Sequence, residues 1–435
     1  ITKTQSFSDV ELSNSKPLTP SFGSCSDIAK ASDVKIKFDE VAVLYLSKNM
    51  RLFAIKLTSA FNLIYLYNLG YSIRAVLAYL LVYFTAKFVG SMVSFLYISK
   101  NGPKHGMLLG NILYIPVLIL MASIGGFNKE FGLTIALIGA VFRGLSGAIS
   151  GVSYHVNFSK VKNAKKVGGQ LGIANILEQL VSGITPAAGA FFAIFFGLDK
   201  LFIVSSVILV LTIIPLLVTK EQVKVNQKVS FRGFPWRNYR HLSIICLSTG
   251  MAALSTTTWS FLASVFILKG VNNYGSAGIL ASIASISAFV AAFTYGKIID
   301  RNKEGGLLKI SSLLMGMVHS LRVFLGSNPT FIGFSEILGG ISSSGFDMAN
   351  SKGLYGEADE SGMRTQYLCI YGAGVDLASV LGVLLLFWIF ANTSSVDPTG
   401  ETALRIIVFI SGILVLPMIF VNYRVYRNKK RQFKE

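Results

Sequence analysis

The sequence predicts an all-α integral membrane protein with twelve transmembrane helices in two pseudo-symmetric six-helix bundles. Three observations predict it: a composition short of charge, a dozen apolar runs of membrane-spanning length, and basic residues concentrated in alternate loops. Of 435 residues, 52% are hydrophobic and 14% charged, with a mean hydropathy of +0.59. A soluble domain carries about 25% charged residues. Cys25, Cys246 and Cys369 are too scattered for a disulfide framework, and four dispersed histidines offer no ligand cluster. No metal or other cofactor is expected.

A hydrocarbon core about 30 Å thick takes about 20 apolar residues in a helix. Runs of that kind fall at 52–69, 75–98, 107–125, 132–154, 169–194 and 201–219. After a polar stretch they resume at 242–268, 276–297, 307–325, 330–350, 366–391 and 403–423. Membrane barrels would show short alternating segments instead. The organisation expected is a tail over 1–45, a bundle over 46–219, a linker over 220–241, a bundle over 242–423 and a basic tail over 424–435. Residues 1–45 are rich in Ser, Thr, Asp and Lys, lack the charged start and apolar core of a signal peptide, and read as disordered.

The charge sum is +19, and its placement decides its meaning. Lys100, Lys104, Lys160, Lys228, Arg301 and Arg427 stand for the loops after spans 2, 4, 6, 8 and the final tail. The opposite loops hold little more than Arg74, Lys129, Lys200 and Lys269. The positive-inside rule places both termini in the cytoplasm of a plasma-membrane protein. That accounts for most of the charge, so nucleic acid is not expected as a partner. The bilayer is, with basic side chains on anionic headgroups.

The two groups of six spans also align internally. An offset of 193 brings Gly147, Ser150 and Asn157 onto Gly340, Ser343 and Asn350. A different offset, as short loop insertions would produce, brings Gly106-Met107-Leu108 onto Gly306-Leu307-Leu308. Two equivalent bundles joined by a linker form a rocker, with a site between them that faces either side in turn.

Four segments carry a further likeness. After span 8 stands Gly296-Lys-Ile-Ile-Asp300-Arg301-Asn-Lys303, and after span 2 stands Ser99-Lys100-Asn101-Gly102-Pro103-Lys104. Span 4 carries Arg143-Gly-Leu-Ser-Gly147, and span 5 carries Gly172, Pro186 and Gly189. In these residues the chain resembles the major facilitator superfamily over about 50–425. The family's loop signature G-x-x-x-D-[RK]-x-G-R-[RK] is nearly kept after span 8, where Lys303 and Glu304 replace its later Gly and Arg. After span 2 it keeps Gly102 and Lys104 but lacks the acid. The resemblance implies secondary transport by alternating access, in a monomer. It implies that spans 1, 4, 7 and 10 line a cavity and that 2, 5, 8 and 11 flank it. It also assigns gating to Gly102, Lys104, Gly296, Asp300 and Arg301. Independently of the family, an acid and a base at a helix end can latch neighbouring helices in one rocking state; a solvated loop pair is the plainer alternative.

Ionisable side chains inside a bilayer face a cavity, a partner or a function. Counting helical rise, Lys87 lies about 17 Å deep in span 2 and Arg143 similarly deep in span 4. Glu178 lies about 15 Å into span 5 and Asp376 about 18 Å into span 11, and Glu336 sits shallower in span 10. Proton coupling is expected from Arg143, Glu178, Asp376 and Glu336, with Arg143 the nearest counter-charge of Glu178. Structural roles compete: a Lys87–Glu178 ion pair, Lys56 and Arg322 snorkelling to headgroups, and His319 packing between helices. Substrate contacts are expected from Asn62, Tyr65, Lys87, Thr257 and Trp259, which suit a small polar organic solute. Lys87 and Arg143 fit an anionic cargo while Glu336 and Asp376 oppose one, so the cargo stays open. The partners expected are that solute and protons. The rival reading is a transport-inactive sensor or scaffold of the same build. An enzyme is not expected, since no nucleotide loop or catalytic triad is present.

Overall fold

The computed structural model describes residues 40–161, 167–218, 233–268, 273–301, 303–423 and 426. Glu40–Glu435 packs as one compact unit. Most of the expected tail 1–45 and of the linker 220–241 lies outside the described residues, as do Lys165, Lys228 and Lys269.

Span 1 is α1 (Glu40–Ser59) followed by α2 (Asn62–Asn68), broken at Ala60 and Phe61. The helix thus begins twelve residues before the apolar run at 52. Span 2 is α3 (Ile73–Asn101), opened by Ser72, whose hydroxyl accepts from the Ala75 amide at 3.3 Å. It ends at Gly102 with φ of 88°, where a side chain would be strained, and Pro103 starts α4 (Pro103–Ser123) at once. Spans 4 and 5 are α5 (Lys129–Val161) and α6 (Val167–Phe196); span 6 is α7 (Leu198–Leu211) with α8 (Ile213–Val218), broken at Thr212. The second half holds α9 (Leu242–Leu262), prolonged by a π turn over Ala263–Ile267, then α10 (Asn273–Asp300) and α11 (Glu304–Arg322). It closes with α12 (Pro329–Glu360), α13 (Arg364–Thr393) and α14 (Glu401–Val415). These are the twelve spans, in two bundles of six.

The same packing partners recur in both bundles. In the first, α3 and α4 pack on α5, α1 on α6, and α7 on both α1 and α4. In the second, α10 and α11 pack on α12, α9 on α13, and α14 on both α9 and α11. Span for span the two patterns coincide. The bundles meet along α6 against α10 and along α3 against α13, two seams related by the same symmetry. Small residues permit the approach: a Cβ on Gly278 of α10 would lie 2.7 Å from the Pro186 carbonyl oxygen.

Nine helices among the described residues are long and apolar enough to cross a membrane on composition alone. The three spans that fall short are α1–α2, α11 and α12, and the reason is where their polar groups point. Arg51, His319, Arg322 and Glu336 are buried, turned into the bundle and away from lipid.

Candidate functional site

A cavity of two lobes lies between the bundles. The lobe nearer the termini has 470 Å³ and takes Lys48, Arg51 and Ile55 from α1; the lobe farther away has 530 Å³ and takes Lys56, Ser59 and Leu63. Lys48, Arg51, Ile55, Ser59 and Leu63 recur every three or four positions, with Lys56 beside them, one stripe of a helix. α12 contributes a second stripe, Glu336, Gly340, Ser343, Asp347 and Ser351, and α9 contributes Thr249, Ala253, Thr257 and Ser260 to the distal lobe. Gln179 and Asp347 border both lobes and mark their junction. The break in span 1 sits in the wall of the distal lobe, as broken helices do at binding sites in transport folds.

The distal lobe is built around Trp259, whose indole N–H donates to Glu336. Arg322 pairs with the same carboxylate at 3.0 Å, donates to the Ser335 carbonyl at 3.3 Å, and stacks 5.0 Å from the Trp259 ring. Arg322 is therefore a buried ion-pair partner and does not snorkel. His319 packs between helices as the sequence suggests, with Nδ1 2.9 Å from the Ser255 hydroxyl. Arg143 also faces this lobe, but it does not meet Glu178. Its guanidinium donates to the Tyr79 hydroxyl at 3.2 Å and lies 4.7 Å from the Tyr83 ring.

In the proximal lobe Glu178 is held by Lys48 at 2.5 Å, and the same ammonium sits 4.1 Å over the Tyr154 ring. Glu178 thus pairs with neither Arg143 nor Lys87. Arg51 donates to Asn111 at 2.7 Å and to the Ser146 hydroxyl at 2.8 Å, and Asn111 donates on to Thr212 at 3.1 Å. That network ties α1 to α4, α5 and the break in span 6.

Lys87 and Asp376 find each other outside both lobes. Their 2.7 Å ion pair crosses the α3–α13 seam, and the Ser91 hydroxyl donates to the other carboxylate oxygen at 2.7 Å. The four expected coupling residues are therefore distributed: Arg143, Glu178 and Glu336 border the cavity, and Asp376 sits in the seam. Of the expected substrate contacts, Thr257 and Trp259 line the distal lobe. Lys87 does not. Asn62 is buried at the span-1 break, its amide 3.5 Å from the Ser59 carbonyl, and Tyr65 packs 5.6 Å from Phe202 in its own bundle.

The loop residues take separate places. Gly102 caps α3, Lys104 stands in the first turn of α4, and Gly296 lies one turn before the end of α10. Asp300 and Arg301 are exposed, with no ion pair among the described residues. The acid that anchors this corner is Glu304, buried and 3.4 Å from Lys352, which also donates to the Ile299 carbonyl.

Both ends of the cavity carry contacts between the bundles. At the distal end Tyr67 lies 5.8 Å from Phe261, Phe61 lies 5.9 Å from Tyr274, and Asn273 donates to Asn68 at 3.3 Å. At the proximal end His155 Nδ1 is 2.6 Å from the Tyr355 hydroxyl, and Phe158 lies 5.5 Å from Tyr355. Lys48, Arg51, Asp347 and this aromatic cluster are absent from the expected site set. The stripe spacing on α1 and α12 is the signal that finds Lys48, Arg51, Asp347 and Tyr355.

Two pseudo-symmetric six-helix bundles around a central ionisable cavity define a secondary transporter of the multi-pass membrane class. The Major Facilitator Superfamily model matches residues 44–351, and the chain belongs to that family. No curated protein matches the chain. Among solved structures, the fucose:proton symporter FucP of E. coli, in a substituted form, is similar with a TM-score of 0.61 at 14% identity, covering 87% of this chain and 98% of that one. FucP in the outward conformation gives 0.61 at 16% identity, over 87% and 97%. At these identities the likeness is one of fold.

Proposed function

We propose that this transporter moves a small polar organic solute by alternating access, coupled to protons. The observation that carries the reading is the two-lobed cavity at the interface of the bundles, bordered by carboxylates that are held by cations. An acid that loses its cation inside a membrane is stabilised by protonation. Movement of α1 against α6 that separates Lys48 from Glu178, or of α11 against α12 that separates Arg322 from Glu336, therefore exchanges an ion pair for a proton. The alternate-loop basic pattern supports cytoplasmic termini, which makes the Lys48 lobe the cytoplasmic one. The family and fold point to a transporter and away from an enzyme.

The test is reconstitution of the full chain in liposomes with a solute library, monosaccharides included, with and without an imposed pH gradient. Gradient-driven accumulation of a solute is the expected result. A scaffold or sensor is the second reading, favoured by the exposed Asp300 and Arg301; absence of flux for every solute would support it. Thiol labelling at Lys129→Cys should occur only from outside, and labelling from inside would reverse the topology.

A further inference from the structure

The transport reading leaves the cargo open, and the charge balance of the cavity narrows it. Arg322 and Glu336 neutralise each other at 3.0 Å, as do Lys48 and Glu178 at 2.5 Å. Lys87 is neutralised by Asp376 outside both lobes. What remains facing the distal lobe is Lys56, Arg143 and, at the junction, Asp347; His319 is engaged with Ser255. Lys56 and Arg143 are both half-buried and form no ion pair among the described residues. Glu178 is within electrostatic reach of Lys56 but is already held by Lys48.

Two cations therefore face one carboxylate in a membrane cavity. A charge out of bulk water is costly until a counter-charge completes it. Arg143 spends one N–H on Tyr79, and a guanidinium has five. Across the lobe Thr256, Thr257 and Ser260 supply hydroxyls. A volume of 530 Å³ is the size of a small-molecule site.

We infer that the distal lobe binds an organic anion, its carboxylate or phosphate group held between Lys56 and Arg143 and its polar remainder against the hydroxyls of α9. The inference rests on the transport reading for its biological meaning, but its electrostatic content is measurable alone.

The probe is a thiol in the lobe: Thr257→Cys in the full chain with Cys25, Cys246 and Cys369 replaced by Ala. Its reaction rates with anionic and cationic methanethiosulfonates are divided by the rate with the neutral methyl reagent, then by the same ratios for a free thiol. The anionic reagent should be favoured, by about tenfold per unpaired cation. Lys56→Gln and Arg143→Gln should each lower the preference, Lys56→Arg should keep it, and Asp347→Asn should raise it. A cationic preference, or one unmoved by Lys56→Gln and Arg143→Gln, overturns the site. In the liposome assay, accumulation of only neutral or cationic solutes overturns the anion site while the transport reading stands. An anionic preference at Thr257→Cys without flux of any solute leaves the site standing and removes the transport reading.

Discussion

At the scale of single residues, the Lys87–Asp376 pair shows what a buried charge demands. Asp376 is 2% exposed and takes both Lys87 and Ser91. Removing one partner leaves the other unpaired, at a cost on the order of 3 kcal/mol, whereas replacing both by apolar groups costs much less. Asp376→Leu and Lys87→Met should each lower the melting temperature in detergent, and the double variant should recover most of the loss. Additive losses would show that the pair has no coupling energy. Rise counting singled out both residues as charges near the middle of their helices. It could not pair them, because partner choice depends on the rotation of α3 and α13 about their axes, and sequence spacing carries no rotation between distant helices. The same blindness assigned Arg143 to Glu178, and let Arg322 reach for headgroups when its neighbour Glu336 lay inside.

A second residue acts outside the membrane. Asp397 accepts from the Thr399 and Thr402 amides at 3.0 and 2.7 Å and from the Thr399 hydroxyl, fixing the turn before α14. Partial burial raises its affinity for a proton, but these hydrogen bonds to the charged form outweigh it and bring the carboxyl from 3.8 down to about 2. A depressed folded value means the contribution is present above pH 3.8 and is lost as pH falls toward 2. The protection of the Thr399 and Thr402 amides against exchange, taken relative to their intrinsic rates at each pH, should therefore fall across that window. Asp397→Asn should remove the pH dependence, and an unchanged profile in that variant would assign the effect to another group.

At the scale of elements, the helices are legible wherever a face meets lipid, since lipid imposes an unbroken apolar run. They are less legible where both faces meet protein or cavity. The apolar run of span 1 begins at 52, yet α1 begins at Glu40 because Lys48 and Arg51 turn inward. Span 10 reads as 330–350, which leaves Asp347 near a surface; α12 continues to Glu360 and so places it about 20 Å from the helix end. The seams are legible through small residues only in part. Gly278 meets Ala190 and the Pro186 carbonyl, whereas Gly296, singled out by its motif, has open space around the position of a Cβ. Gly278→Val should thus cost monodispersity and yield on purification through overpacking against backbone, and Gly296→Ala should not. Equal behaviour of the two would mean that the α6–α10 seam tolerates separation.

At the scale of the whole molecule, the bundles repeat their packing and touch at two ends of one cavity. If they rock, each end must open in turn, so a covalent link at either end should stop transport. The distal link is Tyr67→Cys with Phe261→Cys, and the proximal link is Phe158→Cys with Tyr355→Cys, each joined by a short bifunctional thiol reagent in a background without native cysteines. Both pairs come from rings 5.8 and 5.5 Å apart across the interface, so each reagent bridges one bundle to the other. Linking either end should abolish solute flux in liposomes, and a cleavable reagent should restore it on reduction. The distal link should in addition leave the Thr257→Cys thiol reachable only from the proximal side, and the proximal link only from the distal side. Continued flux with either end joined would mean that the bundles do not exchange access by rocking. Helix bending at the breaks after Ser59 and at Thr212 would then be the motion to measure.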